Sequence, residues 1–164
     1  MRYLLDANVF IQAKNLHYGF DFCPAFWDWI EQENAGGRVL SIDRVRDELM
    51  GGDDELAAWA AARAGFFVEA DPAIIPSLQA VSRWANGASY EPAAIATFLQ
   101  VADYYLVASA LAHEHVVVTH EVVGHSTKKI KIPNACIALG VGCITPYEML
   151  RRERARFVLG PTAA

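Results

Sequence analysis

Four acids in this chain stand where an ordinary surface carboxylate would not. Asp6 follows the apolar run Tyr3-Leu4-Leu5 and precedes Ala7-Asn8, after which apolar residues resume. That pattern reads as a buried strand delivering a carboxylate to its carboxyl end, where a helix begins. A carboxylate there is poorly solvated, so it takes up a proton or faces a cation. It can equally be the N-cap of the helix that follows. Glu48 lies on the flank of the stripe Ile42, Val45, Leu49, while a turn of about 100° per residue points Asp43 and Asp47 away. It is either the border residue of an amphipathic helix or an inward-looking acid.

Asp103 falls in the middle of the face formed by Leu106, Val107, Ala110 and Leu111. A helix starting there would be capped by it. If the helix runs on from Pro92, capping is unavailable and a cation or hydrogen-bond site explains it better. Glu121 follows the apolar run 116–119 and comes close to Asp6 if those two strands are neighbours. The four acids then form one cluster, whose like charges require compensation. Mg²⁺ or Mn²⁺ held by oxygen ligands is the natural one.

The elements that must position these acids alternate between strand and helix. Strand-like runs occur at 3–5, 38–42, 66–68, 116–119 and 143–144, with a weaker extended piece at 130–133. Helical patterns cover 8–14, a stretch from Pro24 to the Gly36-Gly37 stop, 43–50, a stretch from Asp53-Asp54 through Ala60, and 71–90. A stretch opening at Glu91-Pro92 is read as running through Asp103 to His113. A short helix follows at 134–139 and a closing one at 146–157, while 15–22 reads as a loop. This alternation predicts an α/β fold, a three-layer α/β/α sandwich with a central parallel sheet, as a single domain over 1–164.

Composition narrows the function classes. With 54% hydrophobic and 20% charged residues the chain is that of a folded protein with a real core. No apolar run is long enough for a bilayer and no leader is evident, so the expected location is the cytoplasm, without a membrane partner. A net charge of -5 argues against coating nucleic acid through bulk electrostatics. It leaves room for local basic strips, Lys128, Lys129 and Lys131 being one and Arg151, Arg152, Arg154 and Arg156 another. Either strip can be a plain solvated face. The first follows Glu121 closely enough to flank the site and to hold substrate phosphates. Cys23, Cys136 and Cys143 are an odd, widely spaced set that suits reduced thiols. Cys136 and Cys143 with some of His113, His115, His120 and His125 match no zinc-site spacing.

The series Leu4-Leu5-Asp6-Ala7-Asn8, Val45-Arg46-Asp47-Glu48-Leu49, Ala102-Asp103 leading into Leu106-Val107-Ala108-Ser109-Ala110, and Val117-Val118-Thr119-His120-Glu121 resembles the PIN-domain family. That family is typified by the VapC-type ribonuclease toxins of bacterial toxin–antitoxin pairs. The resemblance runs from Leu4 to about Ile144. The phrases at 22–29 and 129–136 look like a bacterial and archaeal subgroup whose members mostly lack an assigned function. Carried over by position, the resemblance implies Asp6, Glu48, Asp103 and Glu121 as catalytic and metal-site acids, with Asn8 and Thr119 as polar supports. Ala7 departs from the usual Thr or Ser, and Glu121 stands where Asp is common.

What the resemblance implies is a metal-dependent endoribonuclease using one or two Mg²⁺ or Mn²⁺ ions on single-stranded RNA. Its further partners would be an antitoxin protein and a second copy of the chain. Two other readings stay open. One is a PIN-like binding module without turnover. The other is a haloacid-dehalogenase-like phosphatase, whose chemistry wants a second Asp where Asn8 stands.

Overall fold

The computed structural model describes residues 1–160, so the last four residues of the expected 1–164 domain lie outside the described residues. Five parallel strands form the sheet: β1 (Tyr3–Leu5), β2 (Val39–Ile42), β3 (Phe67–Val68), β4 (Val116–Val118) and β5 (Cys143–Ile144). Their order is β3-β2-β1-β4-β5. Helices cover both faces, giving a three-layer α/β/α sandwich. Every residue of β1 and β2 is buried, so both strands read as near-continuous apolar runs, interrupted only by Ser41, whose hydroxyl donates to Leu5 O at 2.6 Å.

From β1 the chain builds outward through β2 to β3, then crosses back to lay β4 on the other side of β1. Leu5 pairs with Val118, and Asp6 N–H donates to Val118 O at 3.0 Å. The carboxyl ends of β1 and β4 are thus the switch point of the sheet, where open α/β folds bind ligands.

The helices are α1 (Ala7–Gln12), α2 (Pro24–Ala35), α3 (Asp43–Met50), α4 (Glu55–Ala61), α5 (Ile75–Gly87), α6 (Pro92–Phe98), α7 (Ala102–His113), α8 (Ile132–Leu139) and α9 (Pro146–Arg152). Helix α3 has the bounds that periodicity predicts. Among the described residues no single helix is long and apolar enough to cross a membrane.

Four local expectations differ. The continuous helix from Pro92 to His113 is two helices bent by 67°, with Val101 extended between them. The bend lets α6 turn Ala94 and Phe98 inward from the surface while α7 enters the core, where residues 106–110 are all buried. Residues 13–17, expected as helix then loop, form a π-helical turn closed by Tyr18 N–H to Ala13 O at 2.7 Å. The extended piece at 130–133 joins no strand, because Ile132 N–H donates to Glu121 Oε2 at 2.7 Å and α8 starts there. The closing helix stops at Arg152, since Arg154 adopts a left-handed φ of 56°. The chain then folds back, with Tyr3 Oη donating to Glu153 Oε1 at 2.6 Å and Phe157 packing edge-on to Tyr18.

Candidate active site

Asp6 is the N-cap of α1 and also lines a cleft. Its Oδ1 accepts the Ala7 N–H at 2.7 Å, and its Oδ2 accepts the Thr119 hydroxyl at 2.8 Å. Asp6 is only 5% and Thr119 1% exposed. A hydroxyl has one proton; it goes to Asp6, because the alternative acceptor, Asn8 Oδ1, is 3.5 Å away. Thr119 Oγ1 in turn accepts from Asn8 Nδ2 at 3.1 Å and from the Glu121 N–H at 3.0 Å. Asn8 Oδ1 takes the His120 N–H at 3.1 Å. One hydroxyl therefore ties the residues after β1 to those after β4.

Asp103 lies in the first turn of α7, where the helix dipole favours a negative charge, but it is not the cap: that position is Val101, with no side-chain bond. Glu48 stands at the exposed end of α3. Arg44, one turn earlier, lays its guanidinium 3.5 Å above the Tyr105 ring of α7 and so braces the helix carrying Glu48 against the helix carrying Asp103. Periodicity alone gives no sign of that contact, because Arg44 and Tyr105 meet only when the two helices pack.

Asp6, Glu48, Asp103 and Glu121 line one cleft of about 530 Å³. Asn8, Lys128 and Lys129 line it too, and apolar walls come from Ile11, Phe98 and Ile130. Lys131 does not; its stem passes over Gly124, where a Cβ would meet Lys131 Cγ at 3.1 Å. Thr119 lies beneath, reaching the cleft through Asp6 and Asn8.

Charge in the cleft is under strain. Burial, then Asp103, pushes the Asp6 carboxyl up to about 7, with Glu121 adding to the rise and the Thr119 hydrogen bond opposing it. Asp103 is pushed up to about 6 by burial, then by Glu121 and Glu48, with Lys129 opposing. Burial also raises Glu48. The donor set is the hard oxygen set that Mg²⁺ or Mn²⁺ takes. No three carboxylate, His or Cys side chains among the described residues converge closely enough to enclose an ion alone.

A second cleft, of about 470 Å³, opens at the opposite edge of the sheet and is lined by Arg2, Asp71 and His113 among others. Its charges are mixed, with His113 Nε2 3.1 Å from Asp71 Oδ2, so it gathers no comparable excess.

Comparison with known families fits this arrangement to a lineage. The family model described as Domain of unknown function (DUF4411) matches residues 3–157. The chain belongs to the DUF4411 family. This DUF4411 chain is also similar to the solved structure of FitAcB from Neisseria gonorrhoeae, at 19% identity over 88% of this chain and 98% of that one, with a TM-score of 0.53. At that identity the likeness shows the fold. No curated protein matches the DUF4411 chain.

Proposed function

We infer that this DUF4411 protein is a PIN-type, metal-dependent ribonuclease. The observation that carries the reading is that acids from four separate segments meet in one cleft at the sheet's switch point, with two lysines on its wall. Mg²⁺ or Mn²⁺ bound there would supply Lewis-acid polarisation of a phosphoryl oxygen and lower the pKa of an attacking water. The chain's own residues do the rest. Asp6, Asp103 and Glu121 provide anionic oxygens, and Thr119 and Asn8 hold Asp6 in place. Glu48, at the cleft's exposed side, orients water and accepts its proton, with Glu121 as the other candidate base. Lys128 and Lys129 take substrate phosphates and offset the repulsion of an acidic body.

The deciding experiment is cleavage of labelled single-stranded RNA with Mn²⁺, with Mg²⁺ and with EDTA. Cleavage with either metal and none with EDTA is expected. The narrower reading, the toxin of a toxin–antitoxin pair, rests on the resemblance to VapC-type proteins. Its test is growth arrest on expression, relieved by Asp103→Asn.

One observation favours the silent binding module: Glu121 spends one carboxylate oxygen on the Ile132 N–H. RNA bound but uncut in Mn²⁺ would select that module. Against the phosphatase reading stands the side chain two residues after Asp6, an amide already committed to Thr119 and the His120 N–H.

A further inference from the structure

Beside the acid cleft, three rings from distant parts of the chain come together, the two imidazoles tilted by 34° and each edge-on to the phenol ring. His17 ends the π-helical turn, His120 sits between Thr119 and Glu121, and Tyr147 lies in the first turn of α9. The His17 and His120 ring centroids are 5.4 Å apart, and each lies 5.5 Å from that of Tyr147. Tyr147 Oη is 2.9 Å from His17 Nε2.

These rings are not core packing. All three are half-buried. Of the six tyrosines, Tyr147 alone is neither in the apolar core nor packed against it. Arg151 follows Tyr147 by four residues, placing both on one face of α9. Among the described residues Arg151 enters no ion pair, whereas its neighbour Arg152 pairs with Glu148 at 2.6 Å.

We propose that His17, His120 and Tyr147, with Arg151 beside them, form a stacking subsite for one unpaired base of an RNA strand whose adjacent phosphate lies in the acid cleft. Aromatic faces bind bases with little regard to sequence, and a neighbouring cation holds the backbone. The link to the cleft is short: Asn8 lines the cleft on one side and accepts the His120 N–H on the other. A strand crossing Asn8 passes from the acids to the rings. The position next to a scissile phosphate rests on the ribonuclease reading; the presence of a base site does not.

The test reads binding by the full chain in EDTA, where nothing is cut, through the anisotropy of a labelled single-stranded oligoribonucleotide. An abasic oligonucleotide of equal length and charge is the comparison. The wild type should prefer the base-containing strand about tenfold. Tyr147→Leu and His120→Ala should each lose most of that preference, while Tyr147→Phe keeps it. Arg151→Gln should weaken both strands and lower the salt slope by about 0.7.

Equal affinity of the wild type for the two strands overturns the proposal, as does failure to bind either. That comparison needs no variant, so it decides even if Tyr147→Leu unfolds. A Tyr147→Phe loss as large as that of Tyr147→Leu also overturns it, because the hydroxyl bond to His17 would then be the contribution. Cleavage by the wild type in Mn²⁺ is read separately. Base-dependent binding without cleavage keeps the subsite and sinks the nuclease, whereas cleavage with indifference to bases does the reverse.

Discussion

The Thr119 hydroxyl donates to Asp6 Oδ2 at 2.8 Å across 113 residues of chain, and both groups are buried. It is the hinge pin between the two strand ends that flank the cleft. Thr119→Val keeps the shape and leaves three partners, Asp6, Asn8 Nδ2 and the Glu121 N–H, without that oxygen. A buried group left unpaired costs about 1–3 kcal/mol, which is several degrees of melting temperature for a chain of this size. Thr119→Ser should recover most of the loss. A Thr119→Val protein melting with the wild type would show the hydroxyl to be idle.

Asp103→Asn should abolish metal-dependent RNA cleavage while leaving the far-ultraviolet circular dichroism unchanged. The amide keeps the shape of the first turn of α7 and removes one charge from a cluster in which Glu121 and Glu48 already oppose it. Cleavage at the wild-type rate in Mn²⁺ or Mg²⁺ would reduce Asp103 to a favourable charge at a helix start.

Asp6 and Asp103 are pushed from the usual 3.8 to about 7 and about 6. The folded state therefore binds more protons than the unfolded chain over that interval. No cost is felt below about 4; it grows as pH rises toward 7 and is complete above it. The metal-free protein should thus melt higher at pH 5 than at pH 8. Mn²⁺ at a hundredfold over its Kd should restore about 2.7 kcal/mol at pH 7.5. Asp6→Asn/Asp103→Asn should show a flatter pH profile, little response to Mn²⁺ and, without metal, at least wild-type stability. A wild type indifferent to pH and to saturating metal, beside a strongly destabilised double variant, would make these carboxylates structural.

The three lysines after Glu121 should separate by position. Lys128 and Lys129 line the cleft and Lys131 does not. Lys128→Ala/Lys129→Ala should weaken single-stranded RNA binding and lower the salt slope by about 1.4, or about 0.7 for each phosphate no longer neutralised. Lys131→Ala should leave the slope alone. A slope that responds to Lys131 but not to the pair would place the strand elsewhere on the surface.

Wherever one short stretch contains its own instructions, the sequence is legible. The apolar run into Asp6 and the stripe of α3 are set by burial and by a local period, so strand β1 and helix α3 could be read without a partner. The alternation of such pieces is enough for an α/β sandwich. It also singles out Asp103, as an acid amid apolar neighbours.

What tertiary structure decided lies between distant segments. The break between α6 and α7 carries no Gly or Pro; it exists because α7 must turn inward to bury residues 106–110. Helix α8 begins at Ile132 because a carboxylate 11 residues earlier supplies its first N–H with an acceptor. Arg44 on Tyr105, and the rings of His17, His120 and Tyr147, come together only once the sheet has closed. Local propensity and periodicity act over a few residues, whereas these contacts are set by which strand lies beside which. The sequence by itself determined the strand ends, the acids and their order along the chain; the placing of β4 beside β1 decided that those acids share one cleft, and which side chains surround it.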